Sequence, residues 1–326
     1  MIQLIMICCI GEAVIDMFHK QDPVNGEVFV PLPGGCCYNM SIAIARLGVC
    51  AAFLGRISSN FFGDIQVERL QKNNVQTNFI LRRGENPILA FIKTEDGKQP
   101  QYAFYEEGTV DRLLSSDELK TCLQNTHASE ISCVVFGSVS MSMEPIATTI
   151  ESFITEVWHP AEKVIAFDPN IRPFMIKDRN AYMKRFTQWA SLCTIAKISS
   201  EDFEFIFPGV SAQDALQKMI DLGTRLAIIT LGADGASALL RKDDKTITKV
   251  SASGFPIEKI ADTVGAGDTF LGAFLSWLEL HGKLSHNAIA NMSEEDLHQA
   301  LTFANKAAAI VCTRTGAEPP WTAEIG

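Results

Sequence analysis

Short apolar runs alternate with stretches of helical periodicity along most of this chain, and that alternation constrains its architecture more than any other feature. Ile5–Ile10, Ala51–Ile57, Cys133–Phe136, Val164–Phe167, Leu192–Ile198 and Arg225–Thr230 read as buried strands. Between them, Asn39–Leu47, Gly63–Asn73, Pro145–Val157, Asp178–Ala190 and Ser211–Leu222 carry apolar residues at the spacing of one helix face. Gly48 and Asn73-Asn74 supply stops. Buried strands joined by crossover helices build a doubly wound α/β fold with a mostly parallel sheet flanked by helices. Two segments break the pattern. Glu27–Leu32 alternates as a strand, and Ile88–Lys93 with Gln101–Tyr105 reads as a hairpin around Glu95-Asp96-Gly97-Lys98. No helix separates these strands. They are expected to form a small antiparallel sheet, over about 24–33 and 87–108, attached to one domain of residues 1–326.

Composition then removes whole classes of function. The 326 residues are 47% apolar and 20% charged, as in globular proteins. The formal net charge of −10 gives no general attraction to nucleic acid or to an anionic membrane surface. The run Leu4–Ile10 is too short to cross ~30 Å of hydrocarbon. No basic stretch precedes it and Gly11, Glu12 and Asp16 follow, so it reads as a buried first strand rather than a signal peptide. None of the nine cysteines has metal-type or redox-type spacing; they read as small buried hydrophobes in a reducing compartment, the cytoplasm.

The strongest chemical signal is Asp262-Thr263-Val264-Gly265-Ala266-Gly267-Asp268-Thr269-Phe270, which runs into the apolar helical stretch Leu271–Leu278. Gly265, Ala266 and Gly267 present backbone N–H groups with little side chain in the way, and the helix start adds the positive end of its dipole. Such a turn cradles an anion, above all a phosphoryl group in transfer. Asp268 at its mouth can take the proton of an attacking hydroxyl. Gly-Ala-Gly alone reads equally as a tight turn with Asp268 as a helix cap; the nine residues together are far more specific. A second signal, Gly34-Gly35-Cys36-Cys37-Tyr38-Asn39, opens the helix that closes at Gly48. Paired glycines let backbone approach a ligand, and Asn39 offers a donor and an acceptor to a hydroxylated compound, although it serves equally as a helix cap.

With both motifs in order, one near each end, the chain resembles the ribokinase/PfkB family of carbohydrate kinases, most of all its bacterial fructokinases. Gly11-Glu12-Ala13-Val14-Ile15-Asp16, Phe62-Gly63-Asp64, Asp168-Pro169-Asn170-Ile171-Arg172-Pro173, Lys197-Ile198-Ser199 and Cys312-Thr313-Arg314-Thr315-Gly316-Ala317 extend the likeness over the chain. The resemblance implies a ribokinase-like core with a β-sheet lid, and phosphate transfer from ATP to a sugar hydroxyl. It implies Asp268 as catalytic base, Gly265, Ala266 and Gly267 as anion hole, and Arg172 beside the transferring phosphate or the sugar. Asp16, Gly34, Gly35 and Asn39 match sugar-binding positions, and Phe104 lies in the matching lid segment. Thr230, Gly232 and Gly235, in a loop after a strand, and Asn305, on a helix, match the nucleotide side. Magnesium is implied near Asp202, through water, where relatives end an Asn-x-x-Glu motif. A monovalent cation, potassium in relatives, is implied between backbone near Asp262, Val264 and Gly316. Cys37 and Tyr38 depart from the pattern, since relatives carry Pro, Gly or Ala and then a small residue there.

Where some relatives carry a lid arginine for an acidic sugar, this chain has Glu106-Glu107. Two acids would repel an anionic substrate, which favours a neutral sugar, fructose first. Ribose or 2-keto-3-deoxygluconate kinases, or an idle binding protein on the same fold, are the alternatives. A dinucleotide-dependent dehydrogenase would need Gly-x-Gly-x-x-Gly after the first strand, and that motif is missing there. Exposed edges of the small sheet point to a homodimer.

Overall fold

Met6–Ile10 lies inside the large sheet, paired on both edges, with every residue buried. Its side chains alternate between two separate apolar clusters: Ile7 and Cys9 enter one, Met6, Cys8 and Ile10 the other. A strand buried on both faces must read as a continuous apolar run, and this one does. The computed structural model describes residues 6–93, 101–124, 130–243 and 246–326, so the expected turn Glu95–Lys98 lies outside the described residues.

From one edge to the other, the large sheet runs Ile247–Ala252, Ala236–Arg241, Leu226–Thr230, Ile195–Ser199, Val164–Asp168, Ile131–Gly137, Met6–Ile10, Cys50–Ser58 and Ile80–Arg83. All neighbouring pairs from Leu226–Thr230 onward are parallel; the first two strands are antiparallel additions. One face is covered by the helices Cys36–Arg46, Ala266–Leu280 and Glu294–Cys312, the other by Ile146–Phe153, Arg179–Leu192 and Ala212–Asp221. This is the doubly wound arrangement that the alternation predicts, with the mostly parallel sheet that the family resemblance also implies.

The second sheet has the order Gly26–Gly34, Val14–Asp22, Ile88–Lys93, Gln101–Tyr105. It is antiparallel within each half, and the halves meet along a parallel pairing of Val14–Phe18 with Ile88–Ile92. Val14–Asp22 is absent from the sequence reading, because its polar and apolar residues show no clean alternation. It grows out of Met6–Ile10 across the short turn at Gly11–Ala13, one of the places where the chain passes from the large sheet to the small one.

Several boundaries differ from expectation for local reasons. The first helix starts at Cys36 rather than Asn39, because Gly35, at φ 110°, takes the position before it. Leu192 ends a helix instead of starting a strand. The stretch Pro145–Val157 is a helix over Ile146–Phe153 that widens into a π turn at Ile154–Trp158. Cys37 and Tyr38 are fully buried, and the Tyr38 hydroxyl donates to the Gln66 carbonyl at 2.8 Å. The larger side chain thus fills space between helix Cys36–Arg46, helix Phe61–Lys72 and Phe53, against which its ring packs edge-on. All nine cysteines are free thiols, and only Cys50 is not buried.

Candidate active site

Chain leaving the carboxyl ends of the parallel strands supplies much of a cavity of about 250 Å³, where sheets of this kind bind ligands. Glu12 follows Met6–Ile10, Ser138 and Val139 follow Ile131–Gly137, and Asn170 and Arg172 follow Val164–Asp168. Two helix starts add Gly35, Cys36 and Asn39, and Thr263, Val264, Gly265, Gly267 and Asp268. The small sheet closes the cavity with Val14, Asp16, Ile92 and Phe104.

At the centre, Asn39 Nδ2 donates to Asp268 Oδ2 at 2.9 Å across 229 residues of sequence. Burial raises the Asp268 carboxyl above the usual range; hydrogen bonds from Asn39 and Cys36 and the charges of Lys197 and Arg172 oppose it. The turn before it needs its glycines. Gly265 has φ 77°, and a Cβ there would lie 2.6 Å from Ala317 Cβ. A Cβ on Gly267 would lie 2.9 Å from Lys197 Nζ. Ala266 differs from expectation: it does not line the cavity, and its N–H donates to the Thr263 carbonyl at 3.2 Å. Gly265 and Gly267 are the two residues of the trio that face the cavity.

Beneath the turn lies a buried ion pair, Lys197 to Asp168 at 2.8 Å. Burial works against the Lys197 charge, but Asp168 and Asp202 outweigh it and hold the amine above its ordinary value. Burial pushes the Asp168 carboxyl up to about 6 against the pull of Lys197. An ammonium under a glycine turn at a helix start adds to the positive dipole end, so the electrostatics suit an anion. The opposite strand ends hold Ser138 at φ 60° and Asn170 at φ 36°, a conformation non-glycine residues rarely adopt. Asn170 Oδ1 accepts from Arg172 Nη1 at 2.8 Å, which fixes the guanidinium at the cavity wall.

Asp16 faces Asp268 across the cavity. Burial, and then the Asp268 charge, push its carboxyl up to about 7, with Arg172 and Arg69 pulling down. A Cβ on Gly34 would lie 2.1 Å from Asp16 Oδ2, so that glycine makes room for the carboxylate rather than lining the cavity itself. A Cβ on Gly35 would meet the Glu12 carbonyl at 2.7 Å.

The residues expected on the nucleotide side form a separate group, and none of them lines the cavity. Thr230 ends a parallel strand, and Gly232 and Gly235, at φ 57° and 92°, turn the chain back antiparallel. A Cβ on Gly235 would lie 2.2 Å from the Ala252 carbonyl, and Asn305 Nδ2 donates to the carbonyls of Ala252 and Ser253 at 3.1 Å. Gly235 and Asn305 therefore converge on one backbone segment. The Asp262 carboxylate joins the other two segments of interest, accepting from Val264 N and Gly316 N at 3.0 Å each. Behind them Arg46 and Arg69 both pair with Glu318 at 2.8 Å, tying the 316–318 loop to two helices.

Two expectations are corrected. Asp202 is buried, and its oxygens accept from Ile171 N at 2.7 Å and from Ser199 N and Oγ at 2.9 Å. It caps the helix Ser200–Ile206 and holds the 168–172 segment, so both of its oxygens serve the protein's own backbone, and it does not line the cavity. Glu106 forms an ion pair with Arg112, and neither Glu106 nor Glu107 lines the cavity. Neither acid is placed to touch a bound substrate, and Arg112 balances the charge of Glu106.

Sequence reasoning missed Glu12, Cys36, Ser138 and Asn170 as cavity residues, and named Asp168 and Lys197 only as part of a likeness. A charged residue directly after a fully apolar strand was the available signal for Glu12.

A model of the family "pfkB family carbohydrate kinase" matches residues 4–324. The chain belongs to this family. A fructokinase of Rhizobium leguminosarum bv. trifolii is 34% identical over 295 residues, covering 90% of this chain and 85% of the relative. Fructokinase-1 of Zea mays is 27% identical, covering 98% and 96%. Among solved structures, fructokinase with bound ATP from Xylella fastidiosa matches with a TM-score of 0.85 and 25% identity, covering 98% of this chain and 96% of that one. This family member is a phosphotransferase acting on a sugar hydroxyl, and its sheets and helices are those of the fructokinase fold.

Proposed function

We propose that this kinase transfers the γ-phosphoryl group of ATP to fructose, with Asp268 as general base. The observation that carries the reading is the meeting of Asp268, Asn39 and the Gly265–Gly267 turn at one cavity that Asp16 closes from the small sheet. The Gly265 and Gly267 backbone, the helix start and the Lys197 ammonium would stabilise charge on the transferring group. Arg172 would meet the same charge from the opposite wall. Asp16 and Asn39 would hold sugar hydroxyls, Asp268 would take the proton of the attacking one, and Phe104 would cover the ring. The Xylella fastidiosa fructokinase holds ATP, which supports the nucleotide as substrate; in this reading it would lie beside Thr230, Gly232, Gly235 and Asn305. A divalent ion such as Mg²⁺, arriving with the nucleotide, supplies charge neutralisation of the phosphates; Asp202 is not a ligand in this reading. The backbone that Asp262 draws together near Val264 and Gly316 would suit a monovalent ion such as K⁺.

Support for a neutral sugar now comes from acids that do line the cavity, Glu12, Asp16 and Asp268. The test is consumption of ATP by the purified chain over a panel of fructose, ribose, glucose and 2-keto-3-deoxygluconate. Highest efficiency on fructose is the expected result; turnover on none of them would overturn the reading. The double substitution Glu106→Gln, Glu107→Gln should leave the efficiency ratio of fructose to 2-keto-3-deoxygluconate within about twofold, since Arg112 already balances Glu106 and neither acid lines the cavity. A fivefold rise for the acid would put those residues back at the sugar.

Asp16→Ala should weaken sugar binding by roughly 10–150-fold, the value of a charge-assisted hydrogen bond, with nucleotide affinity unchanged by calorimetry. The pH dependence has a definite sign. As pH falls through about 7, Asp16 takes up a proton and its hydrogen bonds from the sugar lose their charge assistance, so the KM for sugar should climb on the acid side. Asp16→Asn, which cannot titrate, should flatten that climb.

The small sheet also supports a homodimer. Its free edges are Gly26–Gly34 and Gln101–Tyr105. His19, Phe29, Phe91 and Tyr105 form a run of ring contacts across it, with Phe29 and Tyr105 42% and 64% exposed. Sedimentation at dimer mass, returning to monomer mass in Phe29→Asp, is expected; monomer mass in the parent chain would refute it. Among the described residues no helix is long and apolar enough to cross a membrane, and the free thiols fit a cytoplasmic location.

A further inference from the structure

We propose that Glu12 is a positioning residue of the sugar pocket, one that sets the spacing of Asp16, Asn39 and Ser138 by holding three chain segments on a single carboxylate. The inference rests on the sugar-kinase reading of the cavity given above.

A carboxylate directly after a buried strand is costly to place unless every oxygen is satisfied. Glu12 is 1% exposed. Its Oε1 accepts from Cys36 N at 3.3 Å, and its Oε2 from Ser140 N at 3.2 Å and from the Ser140 hydroxyl. Cys36 is the first residue of the helix that carries Asn39, so the carboxylate sits at that helix's positive end. Ser140 lies in the turn Ser138–Ser142, which sends Ser138 and Val139 to the cavity. Ser140 itself does not line the cavity, so it can affect the sugar only through Glu12 or through the turn that it anchors.

The residue after Glu12 is held as tightly. Ala13 N donates to Asp111 Oδ1, and its carbonyl accepts from Gln66 Nε2, both at 2.8 Å. Three residues further on, the chain presents Asp16. The crossing between the two sheets is thus pinned by side chains from residues 66 and 111 and by backbone from residues 36 and 140. With Glu12 removed, the first helix, the 138–142 turn and the start of Val14–Asp22 lose their common anchor, and the sugar ligands they carry drift apart. A shift of this kind acts on sugar affinity; the nucleotide-side group around Gly235 and Asn305 shares none of these contacts.

Three variants test the proposal: Glu12→Gln, Glu12→Ala and Ser140→Ala, assayed for sugar KM, ATP KM, kcat and melting temperature. Glutamine keeps the shape but must turn an NH₂ toward a backbone N–H, so it is not a conservative change here. Glu12→Gln should raise the sugar KM about tenfold or more, with ATP KM within twofold. Ser140→Ala should move the same parameter in the same direction by a smaller factor, about two- to fivefold. The double variant should be no worse than Glu12→Gln alone, because both changes act on one carboxylate. Sugar KM unchanged in Ser140→Ala and Glu12→Gln, with only the melting temperature lowered, would overturn the proposal. So would equal rises in sugar and ATP KM. If Glu12 variants fail to fold, Ser140→Ala decides alone by the same criterion. A parent chain inactive on every sugar would remove the functional reading and this inference together; an active parent with insensitive variants removes this inference only.

Discussion

Asp268→Asn will lower kcat by ~10²–10⁴-fold or more while sugar and nucleotide affinities stay near those of the parent chain. The substitution keeps the volume and the hydrogen bond from Asn39 Nδ2, which an amide oxygen accepts as a carboxylate does. It removes the capacity to take a proton. The parent enzyme should also show an acid limb in kcat. Burial raises the Asp268 carboxyl, so protonation begins above the usual carboxylate range as pH falls, and activity drops tenfold per unit below that point. In Asp268→Asn the residual rate should lose that limb. Parent-like turnover in the variant would take Asp268 out of the chemistry.

Lys197→Met should cost about 3–5 kcal/mol of stability in urea unfolding, the usual penalty for stranding one member of a buried ion pair. Both partners are buried, with side chains 3% and 1% exposed, and Asp168 would be left without its cation. Pairing the change with Asp168→Leu should restore most of the loss, since an apolar pair of similar size needs no desolvation. Activity should not return with stability. The ammonium lies under Gly267, where it reinforces the positive end of helix Ala266–Leu280, and no apolar replacement supplies that field. Recovery of both stability and turnover in the double variant would reduce Lys197 to a packing role.

The sheet core was legible because its physics is local. Ile7 and Cys9 on one face and Met6, Cys8 and Ile10 on the other give an unbroken apolar run that only a strand buried on both sides explains. The Gly265–Asp268 turn was legible for a similar reason: Gly265 takes φ 77°, a conformation glycine adopts without strain, directly before an apolar helix. What escaped the sequence depends on partners far along the chain. Asp202 reads as a metal acid until the Ile171 and Ser199 amides are seen on its oxygens. Glu106 reads as a substrate-repelling charge until Arg112, after the hairpin, is seen to neutralise it. Val14–Asp22 carries no alternation because one end is buried at the cavity and the other lies in solvent. Glu12 looks like a surface acid in one dimension and becomes a buried anchor only when residues 36 and 140 arrive beside it.

The hydrogen bond between Asn39 and Asp268 also says something about how this protein comes into being. Met6–Ile10 pairs on one side with Cys50–Ser58 but on the other with Ile131–Gly137, so the first strand made waits for more than a hundred residues before its second edge is covered. The 229-residue span of that hydrogen bond is longer still, and no amino-terminal fragment that ends before Asp268 contains both halves of the pocket. A nascent or proteolysed chain that ends before Asp268 exposes apolar sheet faces without gaining any capacity to transfer phosphate. Regain of activity on refolding therefore requires this long-range closure of the chain, and should lag behind recovery of helical signal.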